Sequence, residues 1–100
     1  MAEIEFDKVP VISSIPHYLA LNCFPGGTQR NLNSYGHKVG PLTDEQKYIL
    51  ADPQTSGGLL VAVSEESTET FEQLLKEQGH DFQSFGRLKK QSDGPLIEVL

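Results

Sequence analysis

Residues Asp52–Val63 read Asp-Pro-Gln-Thr-Ser-Gly-Gly-Leu-Leu-Val-Ala-Val. In this stretch a polar turn with two adjacent glycines leads directly into five consecutive apolar residues, Leu59–Val63. A continuous apolar run of that length after turn residues is typical of a strand that is covered on both faces. The sequence therefore predicts a central strand at Leu59–Val63, with the other elements placed around it.

The elements on the C-terminal side of this run follow from capping and periodicity. Ser64 is predicted to cap a helix that ends at Gly79, because the apolar residues between them recur at helical spacing. Phe82–Leu88 and Leu96–Leu100 are predicted to be strands. A polar turn around Asp93 would join these two strands as a hairpin.

Two elements are predicted near the N-terminus. Glu3–Asp7 alternates polar and apolar residues, which predicts a half-buried strand with Ile4 and Phe6 on one face. A short helix is expected to begin at Ser14, with Pro16 in its first turn, where the missing N–H costs little.

The middle of the chain completes the predicted fold. Phe24–Gly36 contains three glycines and three amide side chains, which indicates a structured loop. Thr43 and Gln46 form a capping box that opens a helix ending near Ala51. The elements together predict a single domain, residues 1–100, of the α+β or α/β class, built as a layered sandwich on a mixed sheet.

Composition excludes several classes of protein. One hundred residues with 37% hydrophobic and 22% charged residues are typical of one globular domain. No apolar run approaches the ~20 residues that cross a bilayer, and the acidic start is not a signal peptide, so we expect a cytoplasmic protein. A single cysteine, Cys23, excludes an internal disulfide, and the three histidines lack metal-ligand spacing.

The distribution of charge is more informative than its total. A net charge of −6 disfavours nucleic acid and anionic membranes as partners. The stretch from Lys8 to Thr43, however, contains no acidic residue and three bases, Lys8, Arg30 and Lys38. This stretch could tolerate an anion, although plain solvation of the three bases explains it equally well.

Two polar motifs could carry chemistry. The first, Pro25–Asn31, combines two glycines, a hydroxyl, a guanidinium and an amide, which suits a nest for an anion. The alternative is a simple turn whose arginine lies in solvent. The second motif, Asp52–Gly58, could be a ligand-binding turn at the mouth of the predicted central strand. Its alternative is a stiffened turn in which the glycines adopt positive φ.

Other candidate groups have simpler interpretations. Cys23 adjoins Phe24 and no histidine, so we interpret it as a small buried hydrophobe rather than a nucleophile. His17 and His37 are interpreted as surface or cap residues. The glutamates between Glu65 and Glu77 are interpreted as the solvated face of a helix.

Together, Pro25–Asn31 and Asp52–Val63 resemble the two motifs of the selenophosphate synthetase family, also called selenide, water dikinases. The resemblance covers nearly the whole chain and looks like the back part of that family's C-terminal domain. It therefore implies the C-terminal domain fold of the aminoimidazole ribonucleotide synthetase superfamily, here incomplete.

The resemblance implies a parent enzyme that uses ATP, magnesium and selenide to make selenophosphate, AMP and phosphate. The family's reactive cysteine or selenocysteine and its metal-binding aspartates have no counterpart here, so no catalytic or metal residue is assigned. This chain would be inactive alone and would bind neither ATP nor magnesium tightly. The alternative is a stand-alone anion-binding or structural module without catalysis.

Some residues match the family motifs directly. The candidates for the phosphate or ATP cleft are Gly26, Gly27, Thr28, Arg30 and Asn31. The candidates for a structural motif near that cleft are Asp52, Gln54, Thr55, Ser56, Gly57 and Gly58. The implied partners are the missing N-terminal catalytic domain and, because an absent layer would leave apolar surface uncovered, a second copy of this chain. Nucleic acid and membranes are not expected as partners.

Overall fold

The structure, a computed structural model, describes all residues from Met1 to Leu100. Three strands are present: β1 (Ala2–Ile4), β2 (Gly86–Leu88) and β3 (Ile97–Val99). The four α-helices are α1 (Ile15–Ala20), α2 (Gly27–Tyr35), α3 (Asp44–Leu50) and α4 (Thr68–Glu77). Short 3-10 turns occupy Phe6–Lys8, Gly36–Lys38 and Glu65–Ser67.

The sheet is mixed, as the sequence predicts, with the strand order β2-β1-β3. β1 runs antiparallel to β2 and parallel to β3. The predicted hairpin of β2 and β3 is wrong, because β1 lies between these two strands. The connection from Lys89 to Leu96 is long enough to cross β1, so the polar turn around Asp93 does not force its flanking strands to pair.

The first strand is shorter than predicted. Only Ala2–Ile4 is extended, and Phe6 begins a 3-10 turn, so Ile4 and Phe6 do not share a strand face. Glu3 at the centre of β1 is instead the buried residue, with 8% of its surface exposed. Its carboxylate is compatible with burial because two cations from β2 and the residue after it bind it, as described below.

Three of the helices agree with the sequence. α1 carries a proline in its first turn. At α3 the capping box is complete: the Thr43 Oγ1 accepts from the Gln46 N–H at 3.2 Å, and the Gln46 Oε1 accepts from the Thr43 N–H at 2.9 Å. α4 begins at Thr68, after a 3-10 turn, and the Ser64 side chain makes no capping hydrogen bond, so the predicted cap is wrong. Gly79, just beyond the helix, adopts a φ of +83°, the left-handed conformation that ends helices.

The predicted loop at Phe24–Gly36 is wrong, because Gly27–Tyr35 forms a helix. The two glycines lie at its N-terminal end, where they do not weaken a helix interior. Inside the helix the Gln29 Nε2 donates to the Asn33 Oδ1 at 2.9 Å, an i,i+4 bond that uses amide side chains to support helical structure.

The predicted central strand at Leu59–Val63 is also wrong. These residues form no strand and no backbone hydrogen bond, and Leu59 and Leu60 are 94% and 83% exposed. An apolar run becomes a strand only where a neighbouring strand offers backbone partners, and the three short strands pair with one another elsewhere. No hydrophobic residue of the chain is buried.

None of the helices combines the length and the apolar character that crossing a membrane requires.

Candidate functional site

The first sequence motif lies at the N-terminal end of α2. Gly26 precedes the helix, and Gly27 and Thr28 begin it. No side chain caps this end, and no acidic residue lies in its first turn. The N–H groups of Gly26 and Gly27 donate to no acceptor in the protein. Free N–H groups and the positive end of the helix dipole together favour an anion at this position.

The side chain of Arg30 lies beside this helix end. Its Nη2 is 3.5 Å from the position that a Cβ on Gly27 would occupy, so the guanidinium folds back along the first turn. No carboxylate lies within 4.0 Å of the guanidinium. The four ion pairs of the chain instead involve Lys8, Lys47, Arg87 and Lys89. An exposed guanidinium without an acidic partner can offer its planar fork to two phosphate oxygens.

Thr28 has the most deeply buried side chain of the protein. Only 1% of its surface is exposed, and its Oγ1 makes no hydrogen bond. A buried hydroxyl without a partner typically costs about 1–3 kcal/mol. Its backbone N–H donates to the Pro25 carbonyl at 3.2 Å, which fixes the turn that leads into the helix. Thr28 therefore adds a polar group to the helix end that the protein itself leaves unsatisfied.

The two sequence motifs are in contact. A Cβ built on Gly27 would lie 2.8 Å from the Pro53 Cγ, so only glycine fits between α2 and the second motif. The Asn31 Nδ2 donates to the Ala51 carbonyl at 2.9 Å and ties α2 to the end of α3. The structure thus places two stretches that are more than 20 residues apart side by side.

The rest of the second motif is an exposed loop. The Gln54 Nε2 donates to the Asp52 Oδ2 at 3.1 Å, and this bond closes a local turn. Thr55, Ser56, Gly57 and Gly58 are exposed. Gly79 is the only glycine with a positive φ, so the glycines of this motif do not use that freedom. Because no central strand follows, the motif does not lie at a strand mouth.

The three bases of the acid-free stretch do not converge on one site. The Lys8 Nζ pairs with the Glu5 carboxylate at 2.6 Å. Lys38 lies beyond the C-terminal end of α2, with its Nζ 6.0 Å from the centre of the Tyr35 ring. The cation at the candidate site is therefore Arg30.

The remaining candidates stay outside this site. Cys23 is exposed rather than buried, so the interpretation as a buried hydrophobe is wrong; its neighbour Phe24 stacks on Tyr48 instead, with ring centres 4.1 Å apart. His17 and His37 are exposed, as predicted. No cluster of three His, Cys, Asp or Glu side chains could hold a metal ion. A cavity of about 310 Å³ beside α2 includes none of the candidate site residues.

Sequence reasoning missed the ion cluster around Glu3. The Arg87 Nε lies 3.0 Å from the Glu3 Oε1, and the Lys89 Nζ binds the Glu3 Oε2. The hydrogen bond from Lys89 and the charges of both cations hold the pKa of Glu3 below its ordinary value of 4.5, although partial burial opposes them. The feature of the sequence that could have predicted this cluster is the spacing of Arg87 and Lys89. Two cations two residues apart lie on one face of a strand, and this strand is paired with Glu3.

Curated proteins named selenide, water dikinase are similar to this chain over almost its whole length. The Haemophilus influenzae protein is 50% identical over 91 residues, which are 91% of this chain and 26% of that protein. The Pseudomonas putida protein is 49% identical over 100 residues, which are 99% of this chain and 28% of that protein. The resemblance to selenide, water dikinases is confirmed. The chain spans just over a quarter of the length of these relatives. No family model matches it.

Proposed function

We propose that this chain is the C-terminal portion of an ATP-dependent selenophosphate synthetase, and that it is inactive alone. The parent enzyme would convert selenide, ATP and water to selenophosphate, AMP and phosphate in the cytoplasm. Within it, the N-terminal end of α2 would form the part of the ATP cleft that holds phosphate. The observation that carries this proposal is the uncapped helix end at Gly26–Thr28, beside a guanidinium that has no acidic partner.

A few groups at the N-terminal end of α2 have distinct proposed roles in binding phosphate. The N–H group of the exposed Gly26 would donate to a phosphate oxygen, because no protein acceptor occupies it, whereas Gly27 is buried against Pro53. Arg30 would bind two oxygens and balance their charge. The contact of Pro53 with Gly27 and the hydrogen bond from Asn31 would hold this helix end at a fixed position.

In this proposal the groups that perform the phosphoryl transfer itself lie outside this chain. The chain offers no cluster of carboxylates for magnesium, so the metal ions of the proposed enzyme do not fit these residues and would be held elsewhere in the parent. The proposed partner that brings the reactive groups is the N-terminal catalytic domain. A second copy of this chain is a further proposed partner.

An arginine substitution in a chimera tests the phosphate site. The segment of the Pseudomonas putida enzyme that aligns with this chain would be replaced by this chain, since the two align over 100 residues. Arg30→Ala removes charge-assisted hydrogen bonds that are typically worth about 1.5–3 kcal/mol, so kcat/KM for ATP should fall by roughly 10- to 150-fold.

The matched control is Lys90→Ala, which removes an exposed cation that forms no ion pair. Its ATP kinetics should stay within about twofold of the unsubstituted chimera. Equal kinetics for both variants would remove the phosphate site from the proposal. Tight binding of inorganic phosphate by the isolated chain would instead favour the alternative, a stand-alone anion-binding module. The observation that supports this alternative is that the whole N-terminal end of α2 lies within this chain.

A further inference from the structure

An aromatic pair that the phosphate site does not use lies next to it in the chain. The Phe24 and Tyr48 rings stack with their centres 4.1 Å apart and their planes 18° apart. Tyr48 is half-buried in α3, whereas Phe24 is 40% exposed. Tyr48 therefore supports the Phe24 ring from one side, and the ring keeps accessible surface for a second flat group.

The pair is held close to the N-terminal end of α2. Phe24 precedes Gly26 by two residues, so their Cα atoms are at most ~7 Å apart. Pro25 between them has a restricted φ, and its carbonyl accepts from the Thr28 N–H at 3.2 Å. The hydrogen bond from α2 to the end of α3 holds Tyr48 in the same frame. The exposed ring and the helix end thus have a fixed separation.

An aromatic ring beside an anion site suits a nucleotide. Every base has a π-face that stacks on aromatic side chains. In a nucleotide a single ribose joins the base to the first phosphate, so one molecule contacts both sites only where these lie close together, as Phe24 and Gly26 do. Inorganic phosphate, in contrast, has no group that stacks on the ring.

We propose that the Phe24 ring, backed by Tyr48, stacks on the adenine of ATP while the N-terminal end of α2 binds the first phosphate. This inference rests on the proposed phosphate site and adds the base to it. It also sets the direction of the nucleotide, because the phosphate chain then runs from Gly26 toward Arg30, whose guanidinium lies beside Gly27. Stacking holds the base without selecting adenine over other bases.

Substitutions of Phe24 in the Pseudomonas putida chimera test the stacking. Phe24→Leu keeps an apolar side chain against Tyr48 but has no ring to stack on a base. Loss of base–aromatic stacking typically weakens binding roughly 5- to 150-fold, so KM for ATP should rise by that factor. The kcat should change little, because the base is remote from the reacting phosphates. Phe24→Tyr keeps the ring and should restore KM to within about threefold.

Inorganic tripolyphosphate, which has the phosphate chain of ATP but no base, separates stacking from structural effects. For Phe24→Leu its inhibition constant should stay within about twofold of the unsubstituted chimera, whereas Arg30→Ala should raise both this constant and KM for ATP. Phe82→Ala is the matched control and should change neither. Phe82 is 52% exposed and stacks on His80 with ring centres 5.6 Å apart, outside α2 and α3.

The outcomes distinguish the stacking from the phosphate site. If Arg30→Ala weakens both ligands and Phe24→Leu leaves KM for ATP unchanged, the stacking is overturned and the phosphate site stands. Equal weakening of ATP and tripolyphosphate by Phe24→Leu also overturns it, because the ring would then act only by shaping the loop before α2. An equal rise of KM in Phe82→Ala does the same. If Arg30→Ala affects neither ligand, the phosphate site on which the inference rests is removed.

Discussion

Replacing Gly27 with alanine places a methyl group where Pro53 already lies. The new Cβ would be 2.8 Å from the Pro53 Cγ and 2.9 Å from its Cβ, closer than carbon atoms approach without a shift. Overpacking of this kind typically costs about 1–3 kcal/mol. The higher helix propensity of alanine offsets at most about 1 kcal/mol. We therefore expect a net loss of stability of about 1–2 kcal/mol.

Gly26→Ala is the matched control for this prediction. Gly26 is the neighbouring glycine, its φ of −63° suits any residue, and nothing lies within 4 Å of a Cβ built on it. This variant should be as stable as the unsubstituted chain within about 0.5 kcal/mol. Urea denaturation at one fixed protein concentration, followed by circular dichroism, gives the free energies of unfolding.

A double variant separates the contact from other effects of the methyl group. Pro53→Gly removes both the Cγ and the Cβ that the new methyl group would meet, so Gly27→Ala should cost less in that background, with a coupling of about 1 kcal/mol. Equal stability of Gly27→Ala and Gly26→Ala, or no coupling with Pro53→Gly, would refute the claim that the two motifs form one packed unit.

Two further predictions concern the sheet and α3. Because the folded-state pKa of Glu3 is lowered, its ion pairs stabilise the fold at pH values above the ordinary pKa of 4.5, and this stabilisation should be lost as the pH falls through the lower folded-state pKa. Glu3→Gln should remove that part of the pH dependence of the free energy of unfolding. An unchanged dependence at acidic pH would contradict the prediction. Thr43→Ala breaks the capping box and should lower the free energy of unfolding by about 1 kcal/mol in the same urea assay. The control, Thr70→Ala at an exposed position of α4, should change it by less than half as much. Equal effects would contradict a role for the cap.

The sequence predicted the elements whose signals are local. The capping box at Thr43 and Gln46 needs only residues three positions apart, and Gly79 ends α4 through its own backbone conformation. The mixed sheet also agrees with the predicted fold class. The capping box and the helix end depend on neighbours in the chain, so a single sequence contains that information, whereas the sheet joins β1 to strands near the other end of the chain.

The errors arise where structure depends on distant partners. Leu59–Val63 has the composition of a buried strand, but no strand edge or covering layer within these 100 residues meets it. The loop prediction for Phe24–Gly36 gave too much weight to glycines that lie at a helix end. The contact of Gly27 with Pro53 could not be read from the spacing of the motifs, because it depends on how α2 and α3 pack.

The most direct test of the central claim is the activity of the Pseudomonas putida chimera itself. Selenide-dependent formation of AMP from ATP should persist when this chain replaces the aligned segment, and should be absent when that segment is deleted. A folded chimera without this activity, beside an active parent enzyme, would contradict the proposal that the chain is a working portion of a selenophosphate synthetase.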